Sequence, residues 1–258
     1  MLKRILLTTL FCLLAAGLGG GYFYHASHYA RVRSGEEICK SIDIVIKDSL
    51  TDRLVTCRDI LGYLDGGKGI IGGKMNGINL YAIEKGLGEK GEIRAVEAYC
   101  DNNGSVCIEL LQRRAKMRFM GMCGDFYSDS TGYFFPVAKK ADVPVVTGSI
   151  PLSSAAGYKG FAQNGKEKEW IAGALELGEY IEQHWYWHSQ ISQIDVADNG
   201  DVVLFTREGD HKFIFGDFTD IDDKFDKIAT FYKVIVPQSG DKRYRTVNVK
   251  YKNQIICR

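Results

Sequence analysis

The chain has 258 residues, with 33 Lys and Arg against 32 Asp and Glu, for a formal net charge of +1. An apolar content of 45% with balanced charge reads as a folded globule, without the basic excess that draws nucleic acid or an acidic tract that holds cations. Proline occurs only 4 times, and the 29 glycines fall mostly between periodic segments, as turn punctuation does.

Residues Ile5 to Tyr24 form one uncharged run directly after Lys3 and Arg4. A stretch of about 20 apolar residues is long enough to cross a bilayer as a helix. The leading basic pair favours holding residues 1–4 in the cytoplasm, with everything from His25 onward on the far side. A secretory signal peptide has a shorter apolar region, about 7–15 residues, and a small-x-small cleavage site. No good triplet follows here, since His28-Tyr29-Ala30 puts a histidine where a small residue is wanted, and the residues before Cys12 form no lipid-attachment box. A retained single-span anchor over 5–24 is therefore expected, followed by a linker over 25–40. Gly17 and Gly21 fit the small-xxx-small pattern for helix contacts in lipid.

Some 230 residues remain, roughly enough for one large or two small domains, each with a core. Of the 7 cysteines, Cys12 lies in the expected anchor, leaving Cys39, Cys57, Cys100, Cys107, Cys123 and Cys257. An even number outside permits disulfides, but no CxxC pair suggests zinc or a thioredoxin-like site; small buried thiols with one bridge at most is the plainer reading.

A strand is expected over Ile42–Ile46. Thr56 and Asp59 form a Thr-x-x-Asp capping box before Ile60, Leu61 and Leu64 at helical spacing. After the glycine-rich connector Gly66–Gly73, Asn76 or Asn79 can cap a second helix with Leu80, Ile83 and Leu87 as its stripe. A hairpin follows, Ile93–Cys100 and Ser105–Gln112, turning through Asp101-Asn102-Asn103-Gly104. A three-residue loop ending in a left-handed Gly104 pairs Cys100 with Val106, Ala98 with Ile108 and Val96 with Leu110. It gathers the small apolar side chains on one face and sets Cys107 opposite Cys100, against a bridge between them. The order is strand, helix, helix, strand, strand.

Beyond Phe119 short alternating segments sit between turn signals, including Phe134-Phe135-Pro136 and Pro144-Val145-Val146-Thr147-Gly148. Lys168 to Gln190 reads as one helix burying Trp170, Ala174, Leu177, Ile181 and Trp185. Strands are expected at Ile191–Val196, Val202–Arg207 and Lys212–Phe215, then a helix from Asp220–Asp223 with Phe225, Ile228 and Phe231 or Tyr232 inward. In the final strand Arg245, Val247, Val249 and Tyr251 face one way, and Thr246, Asn248 and Lys250 the other. The fold class is α+β: an anchor, a βααββ module, then a mainly antiparallel β domain with packed helices.

Catalytic motifs fail one by one. Gly67–Lys74 lacks the first glycine and the Ser or Thr of a phosphate loop. His184 and His188 sit four apart on the expected helix, a spacing that could present two imidazoles to zinc with Glu179 or Glu182 as third ligand, but a metalloprotease glutamate is missing. Ser239 and Lys242 match Ser-x-x-Lys in letters, yet they lie in a turn before a strand. Asp217, Asp220, Asp222 and Asp223 lack the glycine of a calcium loop and need only the helix macrodipole. No catalytic, cofactor-binding or metal residue is assigned.

In this order the pieces resemble the FtsQ/DivIB family of bacterial cell-division proteins over most of the chain. Residues 41–113 are similar to a POTRA domain, through Ile93, Val96, Ala98, Gly104, Val106, Ile108 and the pair Gln112-Arg113. Residues 114–258 resemble the family's β domain, through Asp125-Phe126-Tyr127-Ser128-Asp129 with Gly132, Phe135-Pro136, Val143–Gly148, Lys224-Phe225 with Phe231-Tyr232, and Tyr244 to Ile255. Ala115 stands where the family commonly has proline, which bears on how stiffly the two modules are joined.

The resemblance implies a non-enzymatic, single-pass type II inner-membrane scaffold, mostly periplasmic and concentrated at the division septum. It would pair with FtsB/FtsL-like single-span proteins and help recruit septal peptidoglycan synthases, without cofactor, nucleic acid or small-molecule substrate. The final strand would offer its edge to a partner segment through Tyr244, Thr246, Val247, Asn248, Val249, Lys250, Tyr251, Gln254 and Ile255. Two other classes compete: an extracytoplasmic enzyme or metal-binding protein using His184, His188 or a free cysteine, and a POTRA-type chaperone or secretion component. The latter expects tandem modules or a membrane barrel.

Overall fold

The computed structural model describes residues 18–22, 24, 37–47, 54–121, 124–137, 139–153, 157–208, 211–239 and 243–258. Lys3, Arg4, residues 5–17 of the expected anchor, Cys12 and Cys123 lie outside these. Residues 18–22 are helical and exposed. Among the described residues no helix is long and apolar enough to cross a membrane. The chain divides into two compact units, one taking Thr56–Glu89 and Ala95–Leu111 with the residues up to Lys47, the other Lys90–Arg94 and Gln112–Arg258 with Leu54 and Val55.

In the first unit, β1 (Ser41–Ile46), α1 (Cys57–Tyr63), α2 (Leu80–Gly88), β2 (Ile93–Cys100) and β3 (Ser105–Gln112) follow in the expected βααββ order. The strands lie in the order β1-β3-β2, and β1 runs parallel to β3 with Ile42 opposite Val106, Ile44 opposite Ile108 and Ile46 opposite Leu110. The capping box forms in full: Asp59 N donates to Thr56 Oγ1 at 3.3 Å and Thr56 N donates to Asp59 Oδ2 at 2.8 Å. Asn79, of the two candidates, caps α2 through Ala82 N at 3.0 Å. Gly104 is left-handed at φ +83° and Asp101 N donates to Ser105 O at 3.0 Å, which closes the hairpin turn. Ile60, Ile83, Leu87, Ala98, Val106, Ile108 and Leu110 are buried between helices and sheet, each large aliphatic contributing about 2 kcal/mol of apolar burial. Cys39, Cys57, Cys100, Cys107 and Cys257 are free thiols.

Among the described residues the second unit is built on one ten-stranded sheet, ordered β13-β12-β11-β10-β9-β7-β4-β5-β6-β8. Its strands are β4 (Met117–Gly121), β5 (Gly124–Ser128), β6 (Tyr133–Pro136), β7 (Val145–Gly148), β8 (Gly160–Phe161), β9 (Ile191–Val196), β10 (Val202–Thr206), β11 (Lys212–Gly216), β12 (Thr246–Asn248) and β13 (Ile256–Cys257). Most neighbours are antiparallel, as expected, but β4 with β7, β7 with β9 and β11 with β12 are parallel. Helix α3 (Gly165–Gln183) buries Ile171, Ala174, Leu177 and Ile181, and α5 (Ile221–Thr230) buries Phe225 and Ile228, with Phe231 buried at the start of the π-turn that follows it. They enclose an aromatic core with Phe119, Phe126, Phe134, Phe213 and Phe215.

The single helix expected over 168–190 is two. Asn164, through Glu167 N at 2.9 Å, starts α3 earlier, and His184 breaks it with extended angles of φ −104° and ψ 99° before α4 (Trp185–Gln190). The break rotates the next turn, so Trp185 is 81% exposed while Trp187 is 7% exposed. Trp187, and not Trp185 as expected, is thus the buried tryptophan here, packing on Phe225 with ring centroids 4.9 Å apart.

Candidate partner-binding site

The expected site residues lie in the last fifteen residues, which form two strands joined by a reversal. β12 is short. It lies parallel to β11, with Phe213 opposite Val247 and Ile214 opposite Asn248, and Val249 N donates to Ile214 O at 3.0 Å. Val247 and Val249 are fully buried, Tyr244 packs against the same core, and Thr246 and Asn248 are half-exposed.

The expected alternation stops at Val249. Asn248 Oδ1 accepts from Lys250 N at 3.1 Å, a side-chain turn that ends the strand. Lys250 Nζ reaches Asp201 at 2.9 Å, and this carboxylate raises the lysine pKa above its ordinary value. Tyr251 is 48% exposed, not inward with Val247 and Val249. Its carbonyl accepts from Lys227 Nζ at 2.8 Å, while the same ammonium, mostly buried, pairs with Asp223 at 2.6 Å. Asn253 at φ +57° then turns the chain back, a left-handed position that asparagine tolerates. Gln254 is exposed and Ile255 half-buried against the core.

The returning segment is β13, antiparallel to β12, with Val247 opposite Cys257 and Asn248 opposite Ile256. The final strand expected as an edge is thus an internal strand, because the chain's own last residues occupy its outer side. Thr246 N donates to Arg258 O at 3.0 Å and Arg258 N returns a bond to Thr246 O at 2.8 Å. In an antiparallel ladder such reciprocal pairs alternate with pairs whose main-chain groups point away from each other. Val247 and Cys257 are of the second kind, so the N–H and C=O of Cys257 face the open side of β13. Among the described residues no strand lies beyond it. Partial burial pushes the Cys257 thiol pKa up, so its sulfur is a packing group before it is a reactive one.

The arrangement leaves Tyr251 and Gln254 exposed around the reversal, with Lys250 and Ile255 half-buried beside them. It places Tyr244, Val247 and Val249 inside, with Thr246 and Asn248 between. Cys257 and the tether Lys227 went unread in the sequence. The Asn253 turn before the apolar Ile255-Ile256-Cys257 run was the signal available for the first. For Lys227 there was none, since its partner carbonyl is 24 residues away.

The other candidates do not assemble a chemical centre. His184 stacks on Tyr180 at 4.1 Å and its Nδ1 lies 2.7 Å from the Tyr180 carbonyl. His188 N still donates to His184 O at 2.9 Å, but the His184 ring is turned back onto the preceding helix at Tyr180. Asp217 is committed to Lys224 at 2.7 Å. Burial favours its protonated form, but the Lys224 and Thr219 hydrogen bonds prevail and hold its pKa at about 2. Among the described residues no group of three or more His, Cys, Asp or Glu could hold a metal ion.

Residues 116–258 match the family model described as FtsQ/DivIB, C-terminal related, and residues 37–111 match the model described as POTRA-like domain. No curated protein matches the chain.

Proposed function

This chain belongs to the FtsQ/DivIB family of non-catalytic cell-division proteins, and from that premise we propose that it is a membrane-tethered scaffold of the division machinery. In this reading residues 5–24 anchor it in the inner membrane, Lys3 and Arg4 hold residues 1–4 in the cytoplasm, and the two units work in the periplasm at the septum. It binds FtsB/FtsL-like single-span proteins and helps to gather septal peptidoglycan synthases. It makes and breaks no covalent bonds.

The observation that carries the reading is the open edge at β13, where the Cys257 main-chain donor and acceptor point away from β12. A partner segment adding there gains main-chain hydrogen bonds, and side chains on either face set specificity. Gln254 and Ile255, leading into β13, flank that edge with Tyr251 at the reversal and contact the partner directly, while Lys250, drawn to Asp201 on the β10 side, contributes by holding the turn that sets β13. Thr246 and Asn248 border it, while Tyr244, Val247 and Val249 act from within, by packing that holds β12 and hence β13 in place.

Depletion of the protein followed by cell microscopy tests the role. Filamentous, unseptated cells are expected, and restoration should require a membrane-anchored copy. Normal septation on depletion, or full rescue by a chain released into the periplasm, contradicts the proposal.

A further inference from the structure

At the opposite end of the sheet, beside β8, a groove of about 580 Å³ runs along the exposed flank of α3. Its lining on α3 extends from Lys168 to Glu182, roughly 21 Å at about 1.5 Å per residue. Ile171, Ala172 and Leu175 with Phe161 and Ala162 supply its apolar floor, and the turn Ser130–Gly132 borders it next to Ile171. Phe161 is 52% exposed. The rim is acidic over its second half, where Glu176, Glu179 and Glu182 follow one another along the helix. Lys116 offsets only Glu182, at 3.0 Å.

We propose that this groove is a second docking site, and that its occupant is an amphipathic helix of a partner protein, with an apolar stripe flanked by Lys or Arg. Three features select that chemistry. The floor is aliphatic and aromatic over little more than one turn of α3, room for two or three stripe residues at i, i+3 and i+4, within a lining that runs about four turns from Lys168 to Glu182. The carboxylates of Glu176 and Glu179 stand where the flanking residues of such a helix would lie, so its cations are attracted and an acidic helix is repelled. An added strand is disfavoured: β8 has two residues, and the Phe161 carbonyl already accepts from the Tyr158 hydroxyl at 2.9 Å. A helix satisfies its own backbone and needs nothing from that edge. The site is independent of the β13 edge, which ends the sheet on the other side.

The test uses the full chain in detergent micelles, with empty-micelle binding subtracted, and fluorescent peptides about four helical turns long, read by anisotropy. One peptide carries a Leu stripe with Lys flanks, the second the same stripe with Glu flanks, and the third the Lys version interrupted by a central Pro. The wild type should bind the Lys-flanked peptide at least about tenfold more tightly than either of the others, a difference of about 1.4 kcal/mol. The double variant Glu176→Lys/Glu179→Lys, at two exposed positions, should reverse the preference between Lys and Glu flanks. Ala172→Arg, which fills the floor from an exposed position, should weaken all binding by a similar factor. Equal binding of the Lys- and Glu-flanked peptides by the wild type, an unreversed preference in the double variant, unaltered binding by Ala172→Arg, or equal binding of the Pro-interrupted peptide each overturns the proposal.

Discussion

Arg113 and Asp129 form a buried ion pair, Nη1 to Oδ2 at 2.7 Å, with side chains only 14% and 8% exposed. Each belongs to a different segment of the resemblance read from sequence, the Gln-Arg pair and the Asp-Gly hairpin, and the fold joins them. Arg113 is held from three sides: its guanidinium carbon lies 3.5 Å from the Tyr133 ring centroid, and its Nε donates to Gly91 O at 3.1 Å. Asp129 also accepts from Thr131 N at 2.9 Å and Tyr133 N at 3.1 Å, which fixes the β5–β6 turn. Replacing Arg113 by Ala strands a buried carboxylate and should cost about 3 kcal/mol, read as a lower urea midpoint.

The same pair sets an acid limit on stability. Burial favours protonation of Asp129, but the hydrogen bonds from Thr131 and Arg113 prevail and hold its pKa below the ordinary 3.8. A folded-state pKa below the unfolded one gives stability that is fully present above 3.8 and is lost as pH falls through the folded value. Urea unfolding at about pH 5 and about pH 3 should show this loss in the wild type and a smaller loss in Asp129→Asn.

Trp187→Ala should cost about 3–5 kcal/mol by opening the core beside Phe225, whereas Trp185→Ala should stay within about 0.5 kcal/mol. Thermal unfolding of the two variants measures the contrast. Equal effects would argue against the helix break at His184.

Gly148→Ala should be among the most damaging small changes. The residue sits at φ +88°, and a Cβ there would run into the Val196 carbonyl oxygen across the parallel β7–β9 pair, with Asp195 Oδ1 2.8 Å away. A loss of about 3 kcal/mol is expected from strain and clash together, measurable by urea denaturation.

What was legible in the sequence was local. The Thr56–Asp59 capping box, the Asn79 cap, the Gly104 turn and the two strands flanking it are set by side chains within a few residues of the atoms they bind. Phe225, Ile228 and Phe231 were legible because they recur every three residues over less than two turns, from α5 into the π-turn that continues it. The break at His184 was not, since no glycine or proline marks it; the packing of Trp187 on Phe225, 38 residues away, goes with it. The parallel neighbours β4–β7 and β7–β9 depend on partners far apart in the chain, beyond any periodicity. At the candidate site, the inward Val247 and Val249 were readable from alternation, but β13 has two residues, too few for a period. Its presence turned the expected edge strand into an internal one and moved the open edge to Cys257.

The most direct measurement compares Cys257→Pro with Cys257→Ala in membrane-anchored, folded protein, by co-purification of the FtsB/FtsL-like partners. The Cys257 N–H serves no strand of its own chain, so proline at this outer position spares the sheet while removing the donor offered to an added strand. The account predicts that Cys257→Pro loses partner recovery at least about tenfold (about 1.4 kcal/mol) while Cys257→Ala recovers partners as the wild type does. Normal recovery with Cys257→Pro would contradict capture at this edge.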